Sequence, residues 1–542
     1  MVDCSNWMVT AQWHIPINSL SGVCIAVPFF RSIAQPSNTR KNKIFHKTFI
    51  PFVVRQLSTS LGSDILFKVS DLTWVAYNLY GGWNLYRGGG NFSFSSRART
   101  VSYNRPFANR SPEPFGKQQN FLFGTEYPSI YWLEKQGYNV SYASCSDVEE
   151  LNLYGMLSKD RYRVLLSVGH DEYWTPELRE AHLTARDNGI HIAFFSGNEA
   201  FWRVIWKENY SEKVQRSLQP PSRPIFQLQD GERRVVVCQK ETIDGAALSN
   251  APHLWTGTFI DPRFRPAEHQ HSLTGQYFMV NAMRRDKMTV PGRDGSLRFW
   301  RNTSASRGKV LSGMTPITHG KGGHKKGAGN KRTHRYLLRH AAENNNLPPE
   351  DQPNDTVYTS GPGLLGYEWD ASIDDCHRPN GMFTLSHTTI HVANALMETY
   401  GAAYKGSGTL THKLSLYRHI AFHIPSAEDE QFLVSALASD SMCRNESIAA
   451  AQRQSEQRLT SPGALVFGAG TVQWAWALSD FRDGEQMGED FTIQVGRMGV
   501  LVVCMWHGMV CSCFDHSLYA DCLASHTEPA GRHGCPAPPH LF

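Results

Sequence analysis

The sequence lacks several features that would place it in a specialised class. None of its 11 cysteines forms a CxxC pair, which argues against a zinc ribbon or a thioredoxin-type site. No basic patch precedes an apolar run near the N-terminus, so no clean signal peptide is predicted. No apolar run reaches the roughly 18 residues of a membrane-spanning helix, because the nearest, Gly499–Phe514, is broken by His507. We therefore predict no membrane span, and isolated cysteines favour a cytoplasmic location.

The charge of the chain is close to balanced. The formal net charge is +5 over 542 residues, and much of the excess lies in one short stretch, Lys321–Arg339. No nucleic-acid-binding module is recognisable, so no nucleic-acid partner is predicted. A hydrophobic content of 41% is that of an ordinary globular protein, which can bury a sizeable core at this length.

Three zones differ in composition. Residues 1–14 form an unassigned leader, and residues 15–483 have globular composition and form the predicted catalytic domain. Within that domain, residues 318–356 are a polar insertion rich in Gly, Lys, Asn and Pro, which we expect to be a disordered loop because it can bury little apolar surface. Residues 484–542 form an irregular Cys-rich tail without helix or strand period.

A strand–helix–strand pattern is readable in the middle of the domain. Arg163–Val168 is an apolar run typical of a buried strand, and Thr175 is placed to cap a helix that ends at Asn188-Gly189. Ile190–Phe195 is the next apolar run. Buried strands joined by a helix of this length predict an α/β fold with a parallel sheet covered by helices on both faces.

Polar residues follow both predicted strands at the edge where ligands bind in parallel sheets. His170 and Glu172 come after the first strand, and Asn198 follows the second within the turn Ser196–Glu199. If the strands are neighbours, these three side chains converge on one crevice. The alternative is that they cap the following helix or form a turn.

Six blocks of the sequence together resemble one enzyme family, the C-terminal region of the N,N-dimethylformamidase large (beta) subunit. They lie in matching order at Thr73–Tyr86, Val101–Phe107, Glu126–Tyr142, the GHDEYW and SGNEAFW blocks from Ser167 to Arg203, Gly366–Asp370 and Gly463–Asp480. The resemblance implies a core similar to that of class I glutamine amidotransferases and flavodoxin, with β-rich additions. The turn that would hold the amidotransferase nucleophile reads SGNE and has no Cys, so a Cys-based mechanism is not expected.

The resemblance implies a mononuclear iron site, with the iron expected as Fe(III). Carried over by motif, its metal ligands are Tyr77, Tyr103 and Glu172, with Tyr80 and Tyr127 as competitors for the tyrosine positions. Phenolate and carboxylate are hard ligands that suit a trivalent iron better than zinc. From the residues alone, packing is the usual role of such tyrosines.

The resemblance also implies roles for His170 and Asn198 as catalytic or substrate-contacting residues and for Glu368 as a catalytic acid. His170 could orient Glu172 or a water molecule, and Glu368 could carry a proton to the departing amine.

The predicted function is hydrolysis of a linear C–N bond in a small, N-substituted amide by metal-activated water. The implied partners are the amide substrate, a small subunit and further copies of the chain; the family's additional N-terminal region is expected to be missing here. One alternative is a catalytically inactive, glutamine amidotransferase-like binding module. A second is a metal-free hydrolase that uses Ser196 or Ser386, although neither lies in a GxSxG elbow.

Overall fold

The computed structural model describes part of the chain. The described residues are 3–4, 6–8, 12–27, 29–30, 45–46, 50–56, 62–89, 95–108, 118–207, 234–244, 254–259, 261, 270–281, 284–295, 297–300, 315–317, 357–359, 363–372, 378–379, 381–399, 402–419 and 463–478. The polar insertion at 318–356 and the tail at 484–542 lie wholly outside them, so the predictions of a disordered loop and an irregular tail remain predictions.

A seven-stranded sheet forms the centre of the fold. Its strands are β1 (Ser63–Lys68), β2 (Val140–Ala143), β3 (Tyr162–His170), β4 (His191–Gly197), β5 (Phe383–Thr384), β6 (Ser415–Arg418) and β7 (Leu465–Gly468). They lie in the order β5-β6-β7-β4-β3-β1-β2. Strands β2, β1, β3, β4 and β7 pair in parallel, whereas β6 runs antiparallel to β7 and to β5.

The prediction of a purely parallel sheet is therefore corrected at one edge. An antiparallel neighbour needs no crossover helix, and β6 lies antiparallel beside β7, with Arg418 opposite Leu465. The predicted pairing of the two central strands is confirmed, because β3 and β4 are parallel neighbours with Gly197 opposite His170.

Both faces of the sheet are buried, as the continuous apolar runs predict. Alternate residues of each strand enter different cores: Leu166 contributes to one and Leu165 to the other. Helices α2 (Leu122–Thr125) and α3 (Tyr127–Lys135) cover the first face, and α1 (Asp71–Tyr77), α4 (Cys145–Leu153) and α5 (Pro176–Asp187) cover the second. Helices on both faces are thus confirmed, while a glutamine amidotransferase-like core stays a prediction.

Local sequence signals explain where the central helices start and stop. The hydroxyl of Thr175 accepts a hydrogen bond from the Leu178 amide at 3.0 Å, with Pro176 in the first turn. Helix α5 ends before Gly189, whose φ of 84° is in the left-handed region. The cap and the stop are the ones that the sequence predicts.

Small elements surround the central sheet and form the β-rich additions. Paired strands are Gly22–Ala26 with Ile50–Val54, Phe29–Phe30 with Phe45–His46, Tyr173–Trp174 with Trp202–Arg203, Tyr277–Val280 with Trp369–Ala371, and Thr388–Thr399 with Ala402–His412. Three-stranded sheets comprise Thr100–Ser102, Ile205–Trp206 and Val235–Val237, and Thr289–Pro291, Thr315–Ile317 and Val357–Thr359. Short helices are Leu122–Thr125, Glu241–Asp244, His271–Thr274 and Gly292–Gly295, and 3-10 turns are Tyr80–Gly82, Gln118–Asn120, Arg298–Trp300 and Trp474–Ala477.

No helix within the described ranges is both long and apolar enough to cross a bilayer.

Candidate functional site

Two tyrosine hydroxyls meet on one carboxylate. Tyr77, the last residue of α1, donates to Oε2 of Glu172 at 2.7 Å, and Tyr86 donates to Oε1 at 2.5 Å. The two hydroxyl oxygens lie 2.9 Å apart. Both oxygens of Glu172 are therefore engaged, and three oxygen-bearing side chains converge on one point.

The loop after α1 brings Tyr86 back beside Tyr77. Gly81 has a φ of 80°, a left-handed conformation that glycine adopts without a steric penalty. Asn84 then donates to the Tyr77 carbonyl at 2.9 Å and accepts from the Tyr86 amide at 2.9 Å. This turn places the two rings 4.6 Å apart.

His170 lies between two carboxylates at the end of β3. Its Nε2 atom lies 2.9 Å from Oε2 of Glu368 and 3.3 Å from Oε2 of Glu172. Its Nδ1 atom lies 2.6 Å from the side-chain oxygen of Asn120. Burial alone would lower the pKa of His170, but Glu368 and Glu172 raise it above its ordinary value, which favours the imidazolium form.

Asn198 joins the cluster from the neighbouring strand. It follows β4 with a φ of 54°, and its side-chain amide donates to Oε2 of Glu368 at 2.9 Å. Gly197 permits this turn, since a Cβ there would lie 2.7 Å from Cα of Thr471. The structure thus brings His170, Glu172 and Asn198 together, as expected from the two strand ends, and places Glu368 beside them; their catalytic roles stay predictions.

A buried lysine lies against the tyrosine face of the cluster. Lys240 Nζ lies 3.5 Å from the Trp202 ring centroid and 4.2 Å from that of Tyr86, and it donates to the Tyr173 hydroxyl at 2.8 Å. Burial and Glu368 raise the pKa of Glu172, whereas His170 and Lys240 oppose that rise. Lys240 therefore helps to hold negative charge on Glu172.

Tyr103, one of the predicted iron ligands, does not enter this cluster, and its role as a ligand stays a prediction. Its hydroxyl donates to Oδ2 of Asp71 at 2.7 Å, and Oδ1 of Asp71 accepts from the Cys145 amide at 2.8 Å. Tyr103 thereby ties the start of α1 to the strand Thr100–Ser102, and the geometry favours Tyr86 in its place.

The other predicted candidates also have local partners. The Tyr80 carbonyl accepts from Arg105 at 3.2 Å, and the Tyr127 ring packs 6.1 Å from that of Phe123. The Ser196 hydroxyl donates to Glu199 at 2.7 Å, and the Ser386 hydroxyl accepts from a backbone amide at 3.0 Å. Neither serine hydroxyl is bonded to a histidine in its described contacts, so neither resembles an activated nucleophile.

Three residues of the site are not predicted from the sequence. Tyr86 and Lys240 lie far from Glu172 in the chain, at 86 residues before it and 68 after it respectively, and Asn120 belongs to a polar 3-10 turn. A usable signal exists only for Tyr86: it ends the second of two Asn-Leu-Tyr repeats, at 78–80 and 84–86, flanking a Gly-Gly turn.

The donor set is of a particular chemical kind. Within the described part of the chain, no group of three His, Cys, Asp or Glu side chains is placed to hold a metal ion. The group that converges comprises two phenols and one carboxylate, namely Tyr77, Tyr86 and Glu172. Hard, potentially anionic oxygen donors of this kind fit a trivalent iron ion.

Comparison with known proteins bears on this site. No curated protein sequence matches the chain. The family described as N,N-dimethylformamidase beta subunit-like, C-terminal matches residues 1–319, which is more than half of the 542 residues. The match includes Tyr77, Tyr86, His170, Glu172 and Asn198, whereas Glu368 lies beyond it. The resemblance seen in the sequence blocks is confirmed: the chain belongs to the N,N-dimethylformamidase beta subunit-like, C-terminal family.

Proposed function

We propose that this chain is an iron-dependent amidohydrolase that cleaves the linear C–N bond of a small, N-substituted amide. Family membership supports dimethylformamidase-like amide hydrolysis. The observation that carries the proposal is the convergence of Tyr77 and Tyr86 on opposite oxygens of Glu172, at 2.7 and 2.5 Å.

These three side chains would hold the ion. Two phenolates and one carboxylate carry three negative charges, which balance Fe(III). Without a cation, burial and Glu172 raise the pKa of Tyr77 and Tyr86 well above 10, so both phenols keep their protons. A trivalent cation in place of those protons would instead lower the pKa of both phenols and favour the phenolate form. When bound, iron supplies Lewis acidity, which polarises an amide carbonyl and acidifies water.

The chain's own residues then orient and move protons. Oε2 of Glu368 is held by the Asn198 amide at 2.9 Å and lies 2.9 Å from His170. We assign proton exchange to the other oxygen, Oε1, which takes a proton from the attacking water and returns it to the departing amine. His170 positions both carboxylates, because its Nε2 atom faces Glu172 and Glu368 at once.

The burial of the site favours a small substrate. His170, Glu172, Asn198 and Glu368 are between 1% and 4% exposed. A small number of polar groups with fixed positions in a buried site is typical of small-molecule recognition. The matched family is described as beta subunit-like, so we also propose a small subunit as partner and assembly with further copies of the chain.

The test is the replacement Glu172→Ala, with Glu180→Gln on the exposed face of α5 as control. Iron content and release of dimethylamine from dimethylformamide are measured on the purified proteins. We expect the parent chain and the control to hold about one iron per chain and to release amine, and Glu172→Ala to lose both. If Glu172→Ala keeps its iron, the donor set is incorrect. A folded parent chain that cannot be loaded with iron supports the binding module instead.

A further inference from the structure

Two buried carboxyl groups adjoin residues of the proposed site in the chain and have no part in the proposed chemistry. Glu199 follows Asn198, and Asp370 lies two residues after Glu368; they are 1% and 0% exposed. Oε2 of Glu199 and Oδ2 of Asp370 are buried and accept no hydrogen bond from a donor group, and the two carboxyl groups lie within hydrogen-bonding reach of each other. Ionised carboxylates only accept hydrogen bonds, so a bond between these two groups requires a proton on one of them.

The charges around the pair favour keeping that proton. Burial raises the pKa of both carboxyl groups, and the negative charges of Asp171 and Glu368 add to the rise for Glu199 and Asp370 respectively. The Lys68 ammonium lies 2.6 Å from Oδ2 of Asp171, where it offsets the charge of Asp171. Two buried carboxylates in contact cannot both stay ionised without a compensating cation.

The pair also holds the turn that presents Asn198. Oδ1 of Asp370 accepts from the Asn198 backbone amide at 2.9 Å, and Oε1 of Glu199 accepts from the Ser196 hydroxyl at 2.7 Å. Asn198 has a φ of 54°, a left-handed conformation that Asn tolerates better than most residues other than glycine. These contacts fix both ends of the turn.

Two short segments therefore meet twice. One carries Asn198 and Glu199, and the other carries Glu368 and Asp370. At the first contact, Asn198 donates to Glu368 at 2.9 Å. At the second, the carboxyl groups of Glu199 and Asp370 lie within hydrogen-bonding reach of each other. We propose that Glu199 and Asp370 share a single proton and act as positioning residues that hold Asn198 against Glu368.

The protonation half of this inference is tested without any activity. Infrared difference spectra in H₂O and D₂O are recorded at neutral pH for the parent chain, Glu199→Gln, Asp370→Asn and the exposed control Glu180→Gln. We expect a protonated carboxyl C=O band in the parent chain that both variants of the pair lose and the control keeps. Glu126, whose pKa burial raises to about 8, gives a separate band that only Glu126→Gln removes. A spectrum that Glu199→Gln and Asp370→Asn leave unchanged overturns the proposal.

The positioning half rests on the proposed function and is read from kinetics. Asp370→Asn keeps an acceptor for the Asn198 amide and supplies its own N–H in place of the shared proton, so we expect kcat within about threefold of the parent chain. Asp370→Ala removes both, and we expect kcat to fall about 100-fold with KM changed far less.

Equal losses in Asp370→Asn and Asp370→Ala overturn the positioning role, because an isosteric amide then fails to substitute for the shared proton. If the parent chain turns over no amide, the proposed function fails while the infrared result still decides whether the proton is shared. The same spectra decide it if Asp370→Ala does not fold.

Discussion

Arg105 clamps the loop that carries the two candidate tyrosine ligands, and its removal should be costly. Its guanidinium donates to the carbonyls of Ser102, Val75, Tyr80 and Trp83 at 3.1, 3.0, 3.2 and 3.0 Å. These carbonyls belong to the end of α1, the turn after it and the strand Thr100–Ser102. Arg105 therefore ties α1 and the turn that follows it to the strand Thr100–Ser102, which comes later in the chain.

The size of the effect follows from two opposing terms. Four hydrogen bonds from a charged donor contribute about 6 kcal/mol at about 1.5 kcal/mol each. Burial lowers the pKa of Arg105 from 12.5 to about 10, which corresponds to a cost of about 3 kcal/mol for burying the charge. The net contribution is about 3 kcal/mol. Arg105→Met keeps the apolar stem and loses every donor, so we expect a loss of that order in the free energy of unfolding.

The assay is urea unfolding followed by tryptophan fluorescence and circular dichroism. Arg163→Met is the matched control, because Arg163 is 45% exposed and pairs with Asp64 at 3.3 Å; it should cost less than about 0.5 kcal/mol. If Arg105→Met is as stable as Arg163→Met, the clamp makes no net contribution and the reasoning is refuted.

Three further outcomes follow from single contacts. Burial raises the pKa of Glu126 from 4.5 to about 8; the bound proton stabilises the fold fully below about 4.5, and this stabilisation is lost as the pH rises through 8. Glu126→Gln should therefore flatten the fall in the free energy of unfolding over that range, and parallel urea titration curves would contradict this. Gly197→Ala places a Cβ 2.7 Å from Cα of Thr471 and should destabilise the protein by about 1–3 kcal/mol; an unchanged melting temperature in calorimetry would show that the backbone yields freely. His170→Gln should lower amide turnover by about 10²–10⁴-fold while iron content per chain is retained, and loss of iron would make His170 a ligand.

The central strand–helix–strand unit could be predicted because its signals are local. Apolar runs mark β3 and β4, and the cap of Thr175 and the stop at Gly189 fix α5 between them. The convergence of His170 and Asn198 then follows from parallel pairing alone.

The tyrosine pair could not be predicted, because it depends on contacts between distant segments. Tyr86 reaches Glu172 through the left-handed turn at Gly81 and the clamp of Arg105, which lies 22 residues from one carbonyl that it binds and 30 from another. Tyr103 carries an equally plausible motif but meets Asp71 instead. The antiparallel edge of the sheet is not predicted for a similar reason, since β6 ends at Arg418, β7 begins at Leu465, and no local signal fixes how the two strands pair.

The position of Glu368, the proposed acid of the site, also depends on pairing between segments that are far apart in the chain. Glu368 lies 170 residues from the Asn198 amide that holds it, and no periodicity in the sequence relates the two positions. Backbone hydrogen bonds to the loop after β7 bring its segment to the edge of the central sheet; for example, the Asp370 amide donates to the Gly470 carbonyl at 2.9 Å.

The most direct test of the iron site is the visible spectrum of the iron-loaded protein in a pair of matched variants. Tyr86→Phe and Tyr103→Phe each remove one buried hydroxyl, from Glu172 and from Asp71 respectively. We expect a tyrosinate-to-Fe(III) charge-transfer band in the parent chain that Tyr86→Phe weakens and shifts and that Tyr103→Phe leaves unchanged. A band that responds to Tyr103→Phe alone, or the absence of any such band with iron bound, would contradict this expectation.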